Sequence, residues 1–138
     1  MWWTYALLSA LFAALTAVFA KVGVKGVDSD LATALRTIVI SVMAWAIVGF
    51  RGLLPGIAQL TKLNIIFLCL SGIATGLSWI FYFKALQIGK VSQVAPVDKL
   101  SVALAIILSV IFLGESLTLK TAIGALLIVI GTLVLIGS

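Results

Sequence analysis

Histidine is absent from this chain, cysteine occurs once and proline twice, and only four residues are acidic. With no His and a lone Cys69, neither an intrachain disulfide nor a Cys/His metal cluster can form. No Ser/Lys or paired-acid arrangement compensates, so no catalytic constellation, metal or cofactor is expected. Charge of either sign is scarce. Of 138 residues, 9% are charged and 64% hydrophobic, with a mean hydropathy of +1.36. Soluble domains carry roughly 25% charged and 45–50% apolar residues, so there is too little polar surface here to cover a water-facing globule. The solvent this composition suits is a bilayer. The net charge of +5 does not read as nucleic-acid binding, because the nine Lys and Arg are scattered singly along apolar runs. Around a membrane protein such cations sit near headgroups. Cys69, inside an apolar run, reads as inert packing.

What the chain does have is five apolar runs. A spanning helix needs about 20 apolar residues at 1.5 Å rise each, and the runs predict helices over about 2–24, 31–50, 63–88, 91–113 and 117–136. The first is expected to stay as a transmembrane helix rather than be cleaved as a signal peptide. No Lys or Arg precedes it, and it exceeds the roughly 7–15 apolar residues of a signal core. Trp2, Trp3 and Tyr5 supply an interfacial aromatic anchor. Gly26 breaks the chain within KGVDSD, where Ser29 or Asp30 is the candidate N-cap of the second helix. Pro55-Gly56 marks a turn in the longest connection, and the short GESLT turn makes the fourth and fifth helices antiparallel neighbours. The expected fold is an all-α membrane protein, a single domain over 1–138.

The ionisable residues within these runs are not equivalent. If the second face of the membrane is the one where the first helix ends, Lys21, Arg36, Lys84, Asp98 and Lys99 all fall in that half. A charge near a helix centre costs roughly 2.5–3.5 kcal/mol on insertion scales, so such groups pair or face a wet cavity. Lys21 and Lys84 lie within a turn or so of their helix ends and can snorkel to headgroups as anchors. Arg36 lies about 8 Å deep, and Asp98 and Lys99 about 11–12 Å, by the rise per residue. Polar stripes accompany them: Asp98, Ser101, Ala105 and Ser109 on the fourth helix, and Ser71, Thr75, Ser78 and Tyr82 on the third, with Trp79 flanking. A third stripe, Ser9, Ala13, Thr16, Ala20 and Gly23, reads as helix packing, as do Gly72, Gly76, Gly124 and Gly131. Pro96 cannot donate to the Ser92 carbonyl and predicts a kink. Irregular backbone at depth is tolerated where it lines a cavity. Two readings stay open. Arg36, Asp98, Lys99, Trp79, Tyr82, Ser78, Ser101 and Thr75 line a substrate or coupling site, or Asp98 and Lys99 pair with other helices, Asp98 with Arg36 for example, and hold the bundle.

The order and spacing of several pieces resemble the EamA domain of the drug/metabolite transporter superfamily, over essentially the whole chain. The pieces are the five-helix pattern, Lys21 closing the first helix, Arg36 early in the second, YFKAL (82–86), Ala95-Pro96, FLGESLT (112–118) and GALLIVIGTLVLI (124–136). The chain is most similar to the short, one-domain members, most of the family carrying two such domains in tandem. The resemblance implies export or exchange of small metabolites by alternating access, a cavity lined by the first four helices, and a packing or dimer-forming fifth. Glu115 belongs to the family pattern. It sits at the membrane surface before the fifth helix, with Ser116 or Thr118 capping, and reads as structural.

Five spans put the two ends of the unit on opposite sides of the membrane. Two fused copies would form a ten-helix inverted repeat, and single copies rebuild it only by inserting in both orientations. Lys21, Lys25, Lys84 and Lys90 on one side face Arg51, Lys62 and Lys120 on the other, a feeble positive-inside bias. The expectation is therefore a secondary transporter of a small metabolite or drug-like molecule in a bacterial or archaeal cytoplasmic membrane, working as an antiparallel homodimer. The rival is a non-transporting membrane subunit or lipid-handling scaffold. The partners expected are a small-molecule substrate, the bilayer and a second copy, not nucleic acid.

Overall fold

The computed structural model describes residues 1–137, which form six α-helices and one 3-10 turn, with no strand among the described residues. In chain order these are α1 (Trp2–Gly23), α2 (Ser29–Phe50), the 3-10 turn (Leu54–Gln59), α3 (Lys62–Ile88), α4 (Val91–Asp98), α5 (Leu100–Leu113) and α6 (Leu119–Ile136). Together α4 and α5 make one span, so the described residues contain five stretches long and apolar enough to cross a bilayer. The all-α, five-span fold is thus the one the chain adopts.

Helix ends follow local chemistry. Neither Ser29 nor Asp30 caps α2; Asp28 does, its carboxylate accepting from the backbone N–H of Asp30 at 2.9 Å and Leu31 at 3.2 Å. Asp28 has the extended backbone an N-cap requires, while Ser29 and Asp30 are already helical. Thr61 caps α3 through the Asn64 N–H at 3.2 Å. α6 starts at Leu119 rather than 117, because Thr118 takes the extended cap conformation and accepts from the Thr121 N–H. Gly114, at φ 68°, closes α5 in the left-handed conformation that glycine adopts without steric cost. Glu115 follows in the irregular connection, ahead of the first turn of α6.

The fourth span runs helically through Pro96 and is interrupted three residues later, at Lys99. There the ladder tightens: the Lys99 N–H reaches the Pro96 carbonyl at 3.0 Å and the Ala95 carbonyl at 3.3 Å, and the Val102 N–H bonds Lys99 O at 3.0 Å. The bonds to Pro96 O and to Lys99 O are i to i−3, the 3-10 geometry that ends α4 and restarts the chain as α5, while the longer one to Ala95 O keeps the α-helical i to i−4 spacing.

The chain divides into two compact units. In Ala20–Gln87, three polar ties hold the end of α3 beside the connection from α1 to α2. Lys21 Nζ donates to the Leu86 carbonyl at 2.6 Å, Gln87 Nε2 donates to the Val27 carbonyl at 2.8 Å, and Lys84 Nζ lies 3.4 Å from Asp30 Oδ2. Val24, Phe83 and Leu86 are buried. The other unit combines Met1–Phe19 with the chain from Ile88 onward, and in it α6 packs on both α4 and α5. Its buried Thr132 has Oγ1 2.8 Å from Ile128 O and 3.1 Å from Pro96 O, the two carbonyls sharing its one hydroxyl proton.

Cys69 is exposed on α3. At Gly72, Gly76, Gly124 and Gly131 an added Cβ would meet no atom within 4 Å among the described residues.

Candidate functional site

Arg36 lies about two turns into α2, roughly 10 Å from its start by the rise per residue. Its guanidinium carbon sits 4.4 Å from the ring centroid of Trp79 and 4.7 Å from that of Phe83. Trp79 and Phe83 are four residues apart on α3, so one helical face presents both rings to the cation. Both distances are well inside the roughly 6 Å over which a ring quadrupole attracts a cation. Tyr82 borders the group, its ring meeting Phe83 edge to face at 6.3 Å and 67°.

Neither acid of this unit neutralises Arg36. Asp28 caps α2 and Asp30 pairs with Lys84. Cation–π attraction acts between the guanidinium charge and the ring quadrupoles, and needs no hydrogen-bond acceptor from Trp79 or Phe83. Nearby hydroxyls are turned inward on their own helices: Thr33 donates to Ser29 O, Thr37 to Thr33 O and Thr75 to Ser71 O, each at 2.8 Å. Ser78 is exposed on α3.

Of the remaining predicted residues in this unit, Lys21 is half-buried on the Leu86 carbonyl and Lys84 is exposed against Asp30. In the other unit, Lys99 Nζ lies 3.2 Å from Asp98 Oδ2, so neighbours in sequence share one ion pair at the interruption of the span. Ser101 is exposed at the start of α5, and Ser109 donates to Ile106 O at 2.9 Å. The Pro96 carbonyl is taken up by Thr132 and the Lys99 N–H.

The fold thus brings Arg36 onto Trp79, joins Asp98 to Lys99, and adds residues the sequence did not single out. Phe83 was signalled by its spacing of four from Trp79. Asp30 was considered only as a cap, although it lies one helix end from Lys84. Thr132 gave no signal beyond being polar within an apolar run.

Five apolar spans with ionisable groups held at depth define an integral membrane protein. The chain belongs to the EamA-like transporter family, whose profile matches residues 1–137. It is 49% identical over 134 residues to an uncharacterised transporter of a Sinorhizobium species named for the cobO 3′ region, covering 97% of this chain and 95% of that one. It is also 32% identical over 100 residues to an uncharacterised protein of Methanocaldococcus jannaschii, covering 66% of this chain and 73% of that protein. No solved structure matches it significantly. Both the family and the Sinorhizobium relative are named as transporters rather than enzymes.

Proposed function

We propose that the protein is a secondary transporter that moves a small metabolite or drug-like molecule by alternating access, as an antiparallel homodimer in a bacterial or archaeal cytoplasmic membrane. The observation that carries this is Arg36, at depth on Trp79 and Phe83, with both acids of its unit engaged elsewhere. An intramembrane cation without a counter-charge beside it costs several kcal/mol, and such residues face ligands or wet cavities. A scaffold has no use for that arrangement. The interrupted fourth span adds irregular backbone, which transporters use at their sites. The Sinorhizobium match runs over 95% of that relative, so a five-span unit is common to both. Two such units inserted oppositely would rebuild the inverted repeat common among transporters, the rivals being a parallel dimer or a partner subunit of opposite orientation.

The test has two arms. Full-length protein in proteoliposomes should show saturable counterflow of at least one compound that stabilises it thermally in a metabolite screen. Reporters at the C-terminus, one active only in the cytoplasm and one only outside, should both give substantial signal. No counterflow with any stabilising compound would leave the scaffold reading, and signal from one reporter alone would rule out dual insertion.

A further inference from the structure

Arg36 presents donors rather than a bare charge. We propose that it binds the carboxylate of an organic monoanion, which would be the group by which the transporter recognises its substrate; this rests on the transporter reading above. The guanidinium carbon lies 4.4 and 4.7 Å from the ring centroids of Trp79 and Phe83, and cation–π attraction to both rings holds the group in place. A planar guanidinium offers parallel N–H bonds along its edge, the geometry a planar carboxylate accepts in bidentate fashion.

Charge count selects the monoanion. One cation stands at this depth in α2, and the unit's two acids are committed to the α2 cap and to Lys84. Lys21 keeps its own charge, held on the Leu86 carbonyl. A single negative charge balances the one positive charge of Arg36. A phosphate monoester, carrying about −1.5 to −2 at neutral pH, would leave a net charge where the dielectric is low. A neutral or cationic ligand leaves Arg36 uncompensated. Trp79, Phe83 and Tyr82 give the body of the ligand an apolar wall beside the charged group.

The experiment is calorimetric titration of the purified full chain with acetate, benzoate and indole-3-acetate, each against its neutral amide, and with inorganic phosphate. At least one carboxylate should bind, at least tenfold more tightly than its amide and than phosphate. Arg36→Lys keeps the charge but loses the planar fork, and should weaken that carboxylate roughly ten- to a hundredfold. Arg36→Ala should abolish carboxylate binding, and the conservative Arg36→Lys carries the test if Arg36→Ala fails to fold. Equal binding of acid and amide, tighter phosphate, an unaffected Arg36→Lys, or no binding of any carboxylate would overturn the proposal. Saturable counterflow of a neutral or cationic compound in that event would leave the transporter reading standing; no counterflow of any compound would remove both.

Discussion

The ion pair between Asp30 and Lys84 ties the first turn of α2 to the end of α3, and its strength follows from the geometry. Two unit charges 3.4 Å apart attract by about 1.2 kcal/mol in bulk water and about 5 kcal/mol at an effective dielectric of 20. The side chains are 53% and 54% exposed, which places the pair near the watery limit. After the entropy of holding two side chains together, about 0.5 kcal/mol remains. Asp30 carries a second contribution, because a carboxylate in the first turn of a helix gains about 0.3–1 kcal/mol from the N-terminal dipole. Asp30→Asn should therefore destabilise by about 1 kcal/mol and Lys84→Gln by about 0.5 kcal/mol. A double-mutant cycle isolates the pair from the dipole, with an expected coupling of about 0.5 kcal/mol. The assay is reversible unfolding of the full chain in mixed detergent micelles. Between about 0.01 and 1 M salt the screening length falls from about 30 to 3 Å, so the coupling should at least halve, and the dipole part of the Asp30 effect should weaken with it. A coupling indistinguishable from zero at low salt, or one that salt does not change, would refute the pair.

Thr132→Val removes the hydroxyl that bonds Pro96 O from α6 and should destabilise by about 0.5–1.5 kcal/mol in the same assay. No loss would mean that the hydroxyl serves only the Ile128 carbonyl of its own helix. Asp98→Asn discharges the partner of Lys99 at the interruption and should abolish or uncouple transport with near-normal folding, read from uptake against pH. Full uptake with an unchanged pH profile would remove Asp98 from the coupling mechanism, and an unfolded variant would make it a structural residue.

The membrane fold was legible because apolar length is a one-dimensional property: a run either reaches some 20 residues or does not. Ends were less so. In the run Val27-Asp28-Ser29-Asp30, three consecutive residues can cap a helix, and only backbone conformation decides that Asp28 does. Pro96 announced a disturbed span, yet the interruption sits at Lys99, where the ladder tightens into 3-10 bonds that no residue type dictates. The site was legible as a set of charges ranked by depth, but not as a set of contacts, because Trp79 and Phe83 reach Arg36 from a different helix. Depth and neutralisation then turn out to run in opposite order within the Ala20–Gln87 unit. Lys84, shallow and exposed, has a carboxylate; Lys21, also near a helix end, has a carbonyl; Arg36, deepest of the three, has ring faces. A bundle arranged only for stability would give its best counter-charge to its deepest cation, where desolvation is most costly. The rings of Trp79 and Phe83 hold that cation in place with no carboxylate of the unit beside it.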